Sequence, residues 1–123
     1  MILVDTSVWV HHLRQGDRAL TTALELGRVL IHPFIVGELS CGNLKRRAQV
    51  LSHLRQLPRV IVATDEEALG FIEKRALMGR RIGYVDVHLL AAVALTGAAR
   101  LWTRDRRLAQ VASELSLAFA EQA

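Results

Sequence analysis

Four of the twelve acidic side chains in this chain stand where solvated charge does not ordinarily belong. Asp5 closes the short apolar run Ile2-Leu3-Val4. Glu38 lies in Phe34-Ile35-Val36-Gly37-Glu38-Leu39, on the apolar stripe of a predicted helix. Its helical neighbours three and four away, Phe34, Ile35, Cys41 and Gly42, carry no charge to pair with it. Asp86 opens the most apolar segment of the chain, and Asp105 follows Leu101-Trp102-Thr103 by two residues. Taken singly, each has an ordinary explanation: an aspartate after a strand caps the next helix, and a glutamate at a stripe's edge reaches water. Asp17, Glu25, Glu66, Glu67 and Glu121 read as ordinary solvated acids.

The set of four is harder to explain as caps. Brought to one crevice, the carboxylates repel, each pair at 4 Å costing about 4 kcal/mol at an effective dielectric of 20. Either some are protonated, or a divalent cation neutralises them. An all-oxygen ligand set suits Mg²⁺ or Mn²⁺ rather than Zn²⁺. The surrounding protein is basic, with net charge +4 and a pI of about 10.2. An acidic pocket in a basic chain points to an anionic substrate that bridges to the metal, and phosphodiester hydrolysis fits that chemistry.

The elements that must position these residues alternate along the chain. Ile2-Leu3-Val4, Val29-Leu30-Ile31, Val60-Ile61-Val62 and Leu101-Trp102-Thr103 read as strands buried on both faces, with Leu117–Phe119 as a short last one. Between them, helices are predicted over Val8–Leu13, Arg18–Leu26, Phe34–Cys41, Leu44–Leu54, from Asp65 to about Met78, Val85–Leu95 and Arg106–Leu115. Alternation of this kind gives an α/β fold, a parallel sheet joined by right-handed crossovers with helices on both faces. Its functional crevice lies outside the carboxyl ends of the strands. Asp5 and Asp105 fall just past strand ends, so the set can converge there.

Length and composition bound the rest. A chain of 123 residues, 51% hydrophobic and 23% charged, reads as a single domain over 1–123 with a core of its own. The single cysteine, Cys41, rules out an intrachain disulfide or a cysteine-rich zinc site, and its apolar surroundings suggest a packed thiol in a reducing compartment. No run reaches the ~20 apolar residues that span a bilayer, and no basic leader precedes the first strand, so a cytoplasmic protein is expected. Of the 16 basic residues 14 are Arg, which suits phosphate contacts. Arg80 and Arg81 before the Asp86 segment, and Arg104, Arg106 and Arg107 around Asp105, are the candidates for contacts to a nucleic-acid backbone, a solvated basic face being the alternative. Trp9 and Trp102 could stack on bases, but both lie in apolar elements, where core packing is the expectation.

These residues carry a resemblance. Ile2-Leu3-Val4-Asp5-Thr6-Ser7-Val8-Trp9, Val36-Gly37-Glu38-Leu39, Ile82-Gly83-Tyr84-Val85-Asp86-Val87-His88-Leu89-Leu90-Ala91-Ala92 and Leu101-Trp102-Thr103-Arg104-Asp105 are similar, in that order, to the acidic motifs of the PIN-domain ribonucleases. More narrowly, the chain resembles the VapC-type toxins of bacterial toxin–antitoxin pairs over essentially its whole length. The resemblance implies a three-layer α/β/α sandwich and Mg²⁺- or Mn²⁺-dependent endoribonuclease activity. It implies that Asp5, Glu38, Asp86 and Asp105 hold metal and position the attacking water, with Ser7 and Thr103 in support. It also implies an RNA substrate, a homodimer and a cognate antitoxin; Phe34, Leu39, Leu44, Leu51 and Leu54 are candidates for the antitoxin's groove. One departure is His88, where an apolar residue is expected; a neutral imidazole there leaves metal binding possible and alters the pH response.

Other sites on such a sheet fit less well. A haloacid-dehalogenase-type phosphatase needs a second Asp where Ser7 stands, a receiver domain needs an acidic pair and a late Lys, and a dinucleotide site needs G-x-G-x-x-G. A non-catalytic RNA- or protein-binding module of the same fold is the alternative from another class, but such a module has no use for four mutually repelling acids.

Overall fold

A strand apolar on both faces has to be covered on both, and Ile2-Leu3-Val4 is: β1 (Ile2–Val4) is buried along its length, with Leu3 and Val4 at 0% exposure. The computed structural model describes residues 1–121; positions 122 and 123 of the expected domain lie outside the described residues. β1 is the central strand of a three-stranded parallel sheet of order β2-β1-β3, with β2 (Val29–Leu30) and β3 (Arg100–Trp102) as neighbours. Leu3 pairs in register with Leu30 on one side and Leu101 on the other. Helices complete the expected three-layer α/β/α sandwich: α1 (Thr6–Gln15), α2 (Arg18–Glu25), α3 (Pro33–Ser40), α4 (Arg47–Gln56), α5 (Asp65–Arg75), α6 (Tyr84–Thr96) and α7 (Arg106–Glu114). None of these described helices is long and apolar enough to cross a membrane.

Two expected strands shrink to single parallel bridges, Ile31 to Arg59 and Leu101 to Ala118. In the first, Val60 donates its N–H to Ile31 O, but the next N–H, that of Ile61, turns to the Thr96 hydroxyl at 2.9 Å. Ile61 and Val62 are then exposed rather than sandwiched, so no ladder continues. Helix ends also move from their expected places. α4 begins at Arg47 rather than Leu44 because Arg46 takes a left-handed conformation (φ 52°) that a helix cannot include. α5 stops at Arg75 rather than near Met78, where Ala76 adopts the left-handed cap (φ 54°). Its start is fixed by a reciprocal pair: Thr64 Oγ1 accepts from Glu67 N–H, and the Glu67 carboxylate accepts from Thr64 N–H.

The core is the sheet and the inward faces of the helices. Trp102, Leu89, Leu90, Ile35 and Leu108 are all at or below 1% exposure. Trp9 and Trp102 pack in this core, which removes both as base-stacking platforms. α6 carries seven consecutive buried residues, Val87 to Val93, as its unbroken hydropathy requires. Cys41 corrects the expectation of a packed thiol: it caps the end of α3 and is exposed.

Candidate active site

Because all strands run the same way, their carboxyl ends share one edge. Asp5 follows β1 there, His32 follows β2 and its single bridge, and Thr103 follows β3. Asp5 is 7% exposed and sits at the N-terminus of α1, yet its carboxylate takes no hydrogen bond from that helix's backbone N–H groups. Oδ2 accepts instead from the hydroxyls of Ser7 (2.8 Å) and Thr103 (2.7 Å), and no hydrogen bond reaches Oδ1 among the described residues. The capping explanation therefore fails for Asp5. Ser7 and Thr103 lie 3.3 Å apart and are themselves fixed from the last loop: Arg104 N–H donates to Ser7 Oγ and Asp105 N–H to Thr103 Oγ1.

The other three acids come from three further elements. Glu38 is exposed on α3, beside rather than on the buried stripe of Ile35 and Leu39, which corrects the expectation of an inward face. Its Oε1 accepts from the Thr6 hydroxyl at 2.7 Å, a tie to the first motif. Asp105 does cap: its Oδ1 accepts from Leu108 N–H at 3.0 Å. Asp86 is half-buried in the first turn of α6 and accepts from Gly83 N–H at 3.0 Å. Burial pushes the Asp86 carboxyl above its ordinary range, and the charges of Asp5, Asp105 and Glu38 push it further the same way, against the pull of that one N–H. Acids from four separate elements are thus close enough to act on one another. Among the described residues, no three His, Cys, Asp or Glu side chains are near enough to hold a metal ion as placed. The four thus stand as a loose group at this edge, near enough for three of them to act on the charge of Asp86.

The PIN domain model matches residues 2–114. The chain belongs to the PIN-domain family. Its relatives include Ribonuclease VapC32 of Mycobacterium tuberculosis in two strains, CDC 1551 / Oshkosh and ATCC 25618 / H37Rv. Each is 46% identical over 122 residues, covering 99% of this chain and 98% of the relative.

The basic residues of this PIN domain divide into two groups. Arg104 is engaged: its guanidinium donates to Asp17 Oδ2 and Glu121 Oε1, both at 2.6 Å, and lies over the Trp102 ring. Asp17, expected among the solvated acids, is 8% exposed at the start of α2. Burial raises its carboxyl, but Arg104, Leu20 N–H and His11 outweigh that and set it below the ordinary range. Arg80 is tied to Glu114 at 2.6 Å. Arg81, Arg106 and Arg107 are exposed, with no ion pair among the described residues. Arg80 and Arg104 are therefore structural ties first, and a phosphate reaching either would compete with a carboxylate already in place.

One residue beside Asp5 at this sheet edge was not singled out from the sequence. His32 is fully buried, accepts from Phe34 N–H through Nδ1 at 2.9 Å, and leaves Nε2 without a partner among the described residues. Burial, then the charges of His88 and Arg59, push its imidazole down to about 4. The unfolded chain takes up that proton near pH 6.5 and the folded one does not. Stability contributed by neutral His32 is thus complete above about pH 6.5 and declines as the pH falls toward 4, by a few kcal/mol. In His32→Asn the side chain can still accept from Phe34 N–H. Its urea midpoint should fall less than that of the wild type between pH 7 and 4; an identical fall in both proteins would remove His32 as the cause.

Proposed function

We propose that this PIN domain is a divalent-metal-dependent endoribonuclease and the toxin of a toxin–antitoxin pair, working in the cytoplasm. The observation that carries the reading is the gathering of acids from four elements at one sheet edge, around an Asp5 whose Oδ1 takes no hydrogen bond among the described residues and a half-buried Asp86 raised by burial and then by the charges of the other three. A fold gains nothing from concentrating four acids at the end of a sheet unless a cation is to be held there. Supporting this are the ribonuclease name of the relatives and their match over nearly the whole of both chains.

The donors suit the ion. All are carboxylate oxygens, as Mg²⁺ or Mn²⁺ prefers, and Asp5 Oδ1 is free of hydrogen bonds among the described residues. In this reading Asp5, Glu38, Asp86 and Asp105 hold the cation, Glu38 and Asp105 turning inward as its charge replaces repulsion by attraction. The bound ion would lower the pKa of a water to give the nucleophile and stabilise the leaving oxygen. Ser7 and Thr103 hold Oδ2 of Asp5, so Oδ1 keeps one direction. Glu38 and Asp105, the exposed pair, are the carboxylates placed to accept a proton from the attacking water. Arg81, Arg106 and Arg107 supply contacts to the RNA backbone, with Arg80 and Arg104 in reserve behind their ion pairs.

The partner is an antitoxin segment. A cleft of about 600 Å³ lined by Val10, Leu13, Leu39, Leu44 and Val50, with Arg14 and Lys45 at its rim, is the place for it. Of the groove residues expected from the sequence, Leu39 and Leu44 line this cleft, while Leu51 and Leu54 pack with the core and Phe34 lies elsewhere. A homodimer completes the proposed assembly.

The test is RNA cleavage under chelation. Single-stranded RNA incubated with the protein and MgCl₂ or MnCl₂ should be cut, EDTA should stop the cutting, and excess metal should restore it. Cutting that persists in EDTA at the same rate would overturn the metal-dependent reading.

A further inference from the structure

Of the six aromatic residues other than histidine, only Phe34 and Tyr84 are exposed, at 38% and 42%. Both are held still. The buried ring of His88 meets Phe34 edge-on at 5.0 Å and 70°, and Tyr84 at 4.7 Å and 87°. The Tyr84 hydroxyl donates to Asp65 Oδ1 at 2.7 Å, and His88 Nε2 stands 3.2 Å from the same oxygen. Phe34 lies 4.9 Å from the buried ring of His32 and gives that ring its own N–H. Large apolar rings exposed to water are usually left free to move. These two are clamped by two buried histidines and a carboxylate, which is the preorganisation that stacking on a ligand requires.

Their place in the fold adjoins the four acids. The pairing of Leu3 with Leu30, continued two residues, sets Asp5 beside His32 on strands about 4.8 Å apart. Phe34 stands one helical turn before Glu38, on the same side of α3. Tyr84 opens α6 two residues before Asp86. Arg81, exposed and without an ion pair among the described residues, lies three residues ahead of Tyr84. Rings next to the proposed cation site match a nucleotide unit: base on the rings, phosphate toward the ion, with Arg81 close by in the chain.

We propose that Phe34 and Tyr84 form a stacking shelf for one unpaired base of the RNA next to the phosphate that is cut. This deepens the ribonuclease reading and rests on it. A duplex keeps its bases stacked on one another, so the shelf selects single-stranded or looped RNA. His88, the residue that departs from the family pattern, then has a role: it is the wedge that holds both rings.

The test uses binding in a protein that cannot cut. In an Asp5→Asn background, single-stranded oligoribonucleotides of mixed sequence carrying 2-aminopurine at an internal position should lose fluorescence on binding, as the base stacks. Phe34→Ala and Tyr84→Ala on that background should bind roughly 5- to 100-fold more weakly, and the quench should be lost. Tyr84→Phe and Phe34→Tyr, which keep a ring, should recover most of both. An abasic residue in place of the 2-aminopurine should weaken binding to the unaltered shelf by the same factor, a measurement that needs no variant to fold. Affinity and quench unchanged in both alanine variants would overturn the shelf and leave these rings to a protein partner. Failure of the underlying reading looks different: the wild type would not cut RNA, or Asp5→Asn would cut it normally.

Discussion

Asp5→Asn lowers RNA cleavage by roughly 100- to 10,000-fold with the protein still folded. The range follows from losing several kcal/mol of metal-assisted stabilisation, at a factor of ten per 1.36 kcal/mol. Asp5 is the acid for which no local structural role remains. Its carboxylate caps no helix, Oδ2 is oriented by Ser7 and Thr103, and Oδ1 has no protein donor among the described residues. An amide of the same shape keeps the packing, and both hydroxyls can rotate to suit it, but its neutral oxygen is a poor ligand for a hard cation. Single-turnover cleavage, with thermal unfolding as the folding control, checks it. Cleavage within threefold of wild type in a folded Asp5→Asn protein would remove Asp5 from the site.

Mg²⁺ or Mn²⁺ should raise the melting temperature of the wild type, and far less that of Asp86→Asn. A ligand at one hundred times its Kd, binding the folded state alone, adds about 2.7 kcal/mol, or roughly 10 °C for a domain of this size. The metal-free proteins should differ in the opposite sense. Burial, reinforced by Asp5, Asp105 and Glu38, raises the Asp86 carboxyl. A raised acid binds its proton more tightly when folded than when unfolded, so stability falls as the pH rises through that interval. At pH 7 the ionised Asp86 is a burden, and Asp86→Asn without metal should be more stable than wild type. The gain should vanish as the pH drops through the raised carboxyl range, where Asp86 is already neutral. Differential scanning fluorimetry with and without metal, from pH 7 to 4, reads both effects. Equal metal-induced shifts in the two proteins would place the ion elsewhere; a less stable Asp86→Asn at pH 7 would mean that the bond from Gly83 N–H outweighs the repulsion.

The amino-acid sequence by itself determined the layered α/β fold, the central buried strand and the four carboxylates with their order along the chain. These are local facts: a both-faces apolar run can only be an interior strand, and an acid just past such a run can only sit at the carboxyl edge of a parallel sheet. Tertiary structure decided what depends on partners far away in the chain. The Asp5 carboxylate is held by hydroxyls rather than spent on a helix cap because Thr103, 98 residues on, donates to it. Asp17 is buried, and Arg104 is spent on it, because the first and last helical layers meet there. Val60-Ile61-Val62 has the composition of a strand but not its ladder, because Thr96 captures the N–H of Ile61. Both tryptophans, the strongest stacking residues in the composition, went to the core, and two weaker rings came to the surface beside the acids because His32 and His88 fill the space beneath them. Spacing along a chain shows which side chains can share a face of one element; which of them share a cavity is fixed only when the elements pack.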